Sequence, residues 1–161
     1  MASGRRLLIP LGGPGQWDEQ LVGGKAAKLA ELSLAGFDVP QGFCLTTRAY
    51  EAFVNDAGIE AAIRMELGRK SMDDMRWEEI WDAALRIRAK FLAQPLSGSL
   101  RETIAAGLRG LDAGATLAVR SSAVGEDSAG RSFAGLHESI IGVRGRQAVE
   151  DAIRLVWASL W

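Results

Sequence analysis

Val119-Arg120-Ser121-Ser122-Ala123-Val124-Gly125-Glu126-Asp127-Ser128-Ala129-Gly130-Arg131-Ser132-Phe133-Ala134-Gly135 carries an arginine out of a short apolar strand and into a loop built of small residues. Such a loop brings backbone N–H groups close to an anion. Glycines at 125, 130 and 135 remove the Cβ atoms that would hold a phosphate away. Ser121, Ser122, Ser128 and Ser132 add hydroxyl donors, and Arg120 and Arg131 add fixed positive charge. The pattern predicts a cover over a triphosphate, and the alternative on composition alone is a mobile surface connection rich in Gly and Ser. On either side, residues 116–121 and 138–143 read as strands, the second with Ile140 and Val143 among its apolar positions. Strand, loop and strand make a phosphate-covering hairpin.

A second anion-binding feature lies in Leu21-Val22-Gly23-Gly24-Lys25-Ala26-Ala27-Lys28-Leu29. Here a glycine pair and a lysine stand at the mouth of a predicted helix, where free N–H groups and the macrodipole favour negative charge. Lys25 then points at phosphate, the alternative being a solvated lysine in a first turn. The segment is not a P-loop, because Glu19 and Ala26 occupy the places of that motif's first glycine and its Ser or Thr.

Taken together and in order, these segments resemble the N-terminal nucleotide-binding domain of the pyruvate phosphate dikinase and phosphoenolpyruvate synthase family, which includes rifampicin phosphotransferases. The matching words are Val22-Gly23-Gly24-Lys25 with Leu29, Val39-Pro40-Gln41-Gly42-Phe43 with Thr46-Thr47, Val119-Arg120-Ser121-Ser122-Ala123 with Glu126-Asp127, and Ser132-Phe133-Ala134-Gly135 before Glu138-Ser139. The resemblance covers roughly residues 8–161. The resemblance implies the first half of an ATP-grasp fold, in which Lys25, Arg120, Gly135 and Ser139 match positions contacting ATP phosphates or magnesium-linked oxygens. It also implies that a second subdomain supplies adenine contacts and metal-binding carboxylates, and that a separate domain carries the phosphorylated histidine. The chain departs from the family at Ala26-Ala27-Lys28, where Gly-x-Asn is usual, at Leu136-His137, where Gln or Met precedes the acidic residue, and at Ser139, usually threonine.

Composition sets outer limits. The 161 residues are 48% hydrophobic, enough for one domain with one core, and carry a net charge of −1. A chain of that size buries about two-thirds of its unfolded surface. No global field steers it to nucleic acid or to an anionic membrane, so phosphate affinity has to be local. Cys44 is the single cysteine and His137 the single histidine, which rules out an internal disulfide and a Cys/His zinc set and fits a reducing cytoplasm. The apolar stretch at residues 7–11 is too short for a signal-peptide core or a membrane span and reads as a strand.

The remaining chain reads as α/β (α+β), a mixed sheet flanked by helices. A helix over 24–35 turns Leu29 and Leu32 inward, and residues 37–45 cross the core extended. Thr47 caps a helix over 48–55, and another runs from Ile59 to Leu67. Over 73–93, Trp77, Ile80, Ala84, Ile87 and Phe91 recur at helical spacing as a core stripe, an aromatic ligand box being the alternative. Leu100, Ile104 and Leu108 mark a further helix. The last helix starts near Gln147 and places Ile153, Val156, Trp157 and Leu160 on an apolar face that looks unfinished at Trp161. That face predicts self-association or docking, and a chain that is a fragment of a longer multidomain enzyme.

The combined expectation is an ATP-binding subdomain of a phosphoenolpyruvate-synthase-like phosphotransferase. Lys25 and Arg120 act catalytically by neutralising phosphate oxygens, and Lys25, Arg120, Ser121, Ser132, Gly135 and Ser139 hold Mg-ATP. No protein metal ligand is expected within the chain, since Glu126 and Asp127 read more simply as solvated loop carboxylates. The phosphoryl group passes to the histidine and then to pyruvate or another acceptor, and the chain by itself is inactive. The alternatives are a non-catalytic nucleotide-sensing or partner-docking module and an antibiotic phosphotransferase.

Overall fold

The computed structural model describes residues 6–12, 17–112, 114–125 and 138–161. Leu8–Pro10 (β1) pairs antiparallel with Phe43–Leu45 (β2), with Ile9 opposite Cys44. Pro10, which cannot donate to a ladder, sits at the last position of this edge pair. A second antiparallel pair joins Leu117–Arg120 (β3) to Ser139–Val143 (β4), with Val119 opposite Ile140 and Arg120 opposite Ser139. The register shifts between Leu117 and Val119, and Gly142 there adopts φ 77°, a bulge conformation that glycine takes without strain. Among the described residues the strands therefore form two separate antiparallel pairs, which corrects the expectation of one mixed sheet. The expected hairpin strands are both present.

Helices supply most of the packing. After a single turn at Glu19–Val22 (α1), Gly24–Leu34 (α2) buries Ala26, Ala27 and Ala30, whereas Leu29 is half-buried and Leu32 is exposed. The face predicted from the leucines is thus rotated toward the alanines, whose short side chains fit where α2 meets Ile9, Val22 and Cys44. Residues 37–42 do not cross the core; Phe37 is exposed and regular pairing is confined to β2.

Thr47–Asp56 (α3) starts one residue earlier than expected, with Thr46 at its N-cap position. Neither threonine caps it. Thr46 Oγ1 donates to the Arg6 carbonyl at 2.8 Å, and Thr47 Oγ1 donates to the Gln20 carbonyl at 3.1 Å, so both tie the helix start to the preceding segments. Ile59–Leu67 (α4) has the predicted limits.

A 3₁₀ turn at Met72–Asp74 precedes Trp77–Ala93 (α5), where the Arg76 N–H donates to Glu79 Oε2 at 2.8 Å. The buried positions of α5 are Ala83, Ile87 and Phe91. Trp77 and Trp81 are 67% and 58% exposed, which overturns the core role expected for Trp77 and truncates the stripe to its C-terminal half. The N-terminal turns of α5 run past the core, where amphipathic spacing no longer implies burial.

Gly98–Arg109 (α6) and Arg146–Ala158 (α7) complete the fold. α7 packs against α5, α6, β3 and β4, burying Val149, Ala152, Ile153, Val156 and Trp157. Phe53, Phe91 and Trp157 meet at its centre, with ring centroids 5.2 Å apart for Phe53 and Trp157 and 5.9 Å for Phe53 and Phe91. Of the expected open patch, Ile153, Val156 and Trp157 are therefore covered by this chain's own elements, whereas Leu160 is exposed.

The helix also closes chemically. Ser159 Oγ donates to the Val156 carbonyl at 2.7 Å and accepts from the Glu138 N–H at 3.1 Å. Trp161 Nε1 donates to the Tyr50 hydroxyl at 3.2 Å. Buried Glu150 accepts from Arg101 at 2.9 Å and from Arg146 at 2.7 Å, satisfying both oxygens while fastening α6 to α7. Among the described residues no helix is long and apolar enough to cross a membrane.

Candidate functional site

The N-terminus of α2 and the end of β3 touch through glycine. Gly23 precedes α2 with φ 77° and ψ 167°, and a Cβ built on it would lie 1.7 Å from the Ser122 carbonyl oxygen. Only a residue without a side chain allows that approach. It also leaves the helix without a capping side chain of its own, and Ser122 supplies one from 96 positions beyond Ala26. Ala26 N–H donates to Ser122 Oγ at 2.9 Å, the bond an N-cap serine would normally accept. The same hydroxyl donates to the Val22 carbonyl at 2.8 Å, and Gly24 N–H donates to the Ala123 carbonyl at 3.1 Å.

These bonds correct one expectation. The mouth of α2 does not offer its N–H groups at Gly24 and Ala26 to an anion, because the segment following β3 takes them. At this mouth stand the Lys25 side chain and the positive end of the helix dipole.

Four of the predicted residues lie on or beside the segments that meet here. Lys25, half-buried, is the second residue of α2 and follows Gly23 by two positions. Arg120, exposed, ends β3 and precedes Ser122 by two; exposed Ser139 lies opposite it on β4. Ser121 is buried. Ser132 and Gly135 lie outside the described residues, as do Glu126, Asp127, Arg131 and His137.

Two further residues attach to this junction. Gly125 N–H donates to Glu19 Oε1 at 3.4 Å, linking the start of the small-residue loop to α1, which Asp18 caps by accepting from Gln20 N–H at 3.0 Å. Glu138, beside Ser139, pairs with Arg88 of α5 at 3.0 Å. Cys44 packs with Val22, Ala26 and Ala27, where burial pushes its thiol up to about 11 and favours the protonated form near neutral pH. Among the described residues no three His, Cys, Asp or Glu side chains gather to hold a metal ion.

Sequence reasoning placed Ser122 only among the loop's hydroxyl donors and missed its structural part in the junction, as it missed Glu19. One signal was available for the first: a helix opening on Gly23-Gly24 with no Ser, Thr, Asp or Asn at its cap position needs a cap from elsewhere.

Residues 19–161 match the family described as pyruvate phosphate dikinase, AMP/ATP-binding domain. The chain belongs to that family. Phosphoenolpyruvate synthase of Aeropyrum pernix is 40% identical over 146 residues, covering 88% of this chain and 18% of that protein. The Escherichia coli phosphoenolpyruvate synthase is 37% identical, with coverage of 91% and 19%. Rifampicin phosphotransferase of Bacillus cereus is 33% identical, with coverage of 88% and 16%. The chain thus spans about a fifth or less of the length of these relatives. Within this pyruvate phosphate dikinase-type AMP/ATP-binding domain, the matched segment contains α1, the α2 mouth and the whole β3–β4 hairpin, so every described part of the junction falls inside the family's own boundaries.

Proposed function

We propose that this chain is the first half of an ATP-grasp site in a phosphoenolpyruvate-synthase-like phosphotransferase, and that its part is to hold the phosphates of Mg-ATP. The observation that carries this reading is the junction of Gly23 with Ser122, which brings the Lys25 helix mouth and the Arg120–Ser139 strand ends to one place. Lys25 and Arg120 neutralise phosphate oxygens, Ser139 and Ser121 add hydroxyls, and the loop contributes Ser132 and Gly135. Such a site accelerates phosphoryl transfer by positioning and charge stabilisation, with little covalent chemistry for its residues to perform. Bound Mg-ATP supplies the transferable phosphoryl group, and the protein ligands of magnesium belong to other parts of a longer protein. The acceptor is a histidine on a separate domain, followed by pyruvate. A reducing cytoplasm accords with the single, buried Cys44.

The similarity to rifampicin phosphotransferases favours one second reading, in which the same ATP half-site serves an antibiotic acceptor.

Amide chemical-shift titration of the chain with Mg-ATP tests the shared step. Half a cleft should bind with a Kd of about 1 mM or weaker, with shifts at Lys25, Arg120 and Ser139. Lys25→Ala and Arg120→Ala should each weaken binding by about tenfold or more without lowering the melting temperature, because each removes a charge-assisted contact and little packing. Shifts confined to other regions would reject the site.

A further inference from the structure

We infer that Ser122 is a positioning residue for the phosphate-binding pair: its hydroxyl fixes the helix mouth carrying Lys25 against the strand end carrying Arg120, so that both cations address one polyphosphate. This rests on the phosphate-site reading above. A serine beside a glycine-rich loop invites a simpler role as a direct phosphate donor, and the hydrogen bonding argues against it. A hydroxyl has one proton. In Ser122 that proton goes to the Val22 carbonyl at 2.8 Å, while the oxygen accepts from Ala26 N–H at 2.9 Å. The side chain therefore grips α2 on both sides of Gly23 and has no proton left for a ligand.

The surrounding geometry makes the grip selective. Gly23 lets the Ser122 backbone come so close that a Cβ would sit 2.3 Å from its carbonyl carbon, and Gly24 N–H adds a bond to the Ala123 carbonyl at 3.1 Å. These backbone contacts set how near the two segments come. The hydroxyl, bonded to residues before and after the helix start, sets the rotation of the first turn of α2. Lys25 lies within that turn, between Gly24 and Ala26, whose N–H groups are both held. A change in rotation redirects its side chain relative to Arg120 without disturbing the aromatic core, which lies in a separate cluster of buried residues.

The test is Mg-ATP titration of the chain as wild type, Ser122→Ala, Ser122→Thr, Lys25→Ala and the Lys25→Ala/Ser122→Ala double variant, with a melting curve for each. Ser122→Ala should weaken ATP binding about tenfold and speed hydrogen exchange at the Ala26 amide, while Ser122→Thr, which keeps the hydroxyl, should restore both. In the Lys25→Ala background the further loss from Ser122→Ala should shrink to less than about twofold, since the hydroxyl acts through that lysine. Losses that simply multiply would mean an independent phosphate contact and overturn the proposal, as would undiminished ATP binding in Ser122→Ala. Should Ser122→Ala not fold, Ser122→Cys, which weakens both bonds at nearly constant size, carries the same expectation at several-fold loss, and unchanged binding in it overturns the proposal. No response of the wild type to ATP overturns the phosphate reading and this one with it; response of the wild type with indifference to residue 122 overturns only this one.

Discussion

Among the described residues, two groups of buried side chains hold this chain together, and they are built in opposite ways. Around α7 the core is made of large interlocking residues: Phe53 tilts against both Phe91 and Trp157, with Ile59, Ile87, Leu100 and Ile104 in the same cluster. Beneath α1 and α2 the cluster consists of Ile9, Val22, Ala26, Ala27 and Cys44, and its closest approach is backbone against backbone at Gly23 and Ser122. The first gains its stability from atoms that fill space. The second depends on atoms that are absent, with hydrogen bonds crossing where side chains would otherwise stand. Removal of atoms should therefore damage the aromatic core, and addition of atoms should damage the junction.

The largest expected effect is at the aromatic centre. Phe91, fully buried between Tyr50 and Phe53, leaves a cavity in Phe91→Ala that neighbouring rings cannot fill without breaking their own contacts. Loss of transfer free energy together with the cavity should cost about 3–5 kcal/mol, read by urea unfolding as a lower midpoint at unchanged slope. A cost below about 1 kcal/mol would mean that this core collapses around deletions and that the contrast with the junction is false.

Gly23→Ala should come next. The added methyl meets the Ser122 carbonyl, and the φ of 77° disfavours any side chain, so α2 and the loop must separate. The cost should be about 1–3 kcal/mol. Its distribution matters more than its size: hydrogen exchange should accelerate at Gly24 and Ala26, whose bonds to Ala123 and Ser122 are broken, while amides around Phe53 and Phe91 keep their protection. Uniform loss of protection would show the two clusters to be one cooperative unit.

The parts of this architecture that could be read from residues are those decided locally. Both hairpin strands were legible because Gly and Ser punctuate the chain between apolar runs, and α4 was legible because Gly58 and Gly68 bracket one amphipathic segment. The motifs of Lys25 and Arg120 were legible as motifs, and the segments that carry them meet at Gly23 and Ser122. What was not legible depends on partners distant in sequence. The cover over Trp157 comes from Tyr50 and Phe53, and the cap of α2 comes from Ser122, so neither an apolar face nor a glycine-led helix start reveals how it is completed. Rotation of α2 toward its alanines has the same origin, since Ala26 and Ala27 pack against Ile9 and Cys44, which belong to other segments.

The exposed start of α5 gives the smallest effect and the sharpest control. Trp77 and Trp81 belong to neither cluster; they contact each other edge-on at 6.0 Å, and more than half of each is open to solvent. Helical spacing alone would rank them with Phe91. If burial rather than residue type sets the cost, Trp77→Ser and Trp81→Ser should each change stability by no more than about 0.5 kcal/mol. The double variant should differ from the sum only by the coupling of one exposed ring pair, of order 0.5 kcal/mol. Because serine and tryptophan have similar helix propensities, the helix itself adds little to the difference. Urea unfolding of the three variants beside Phe91→Ala decides the matter: a loss of 2 kcal/mol or more at either tryptophan would mean that the start of α5 packs into the folded chain in solution, and that the division into an aromatic core and a backbone junction omits a third buried region.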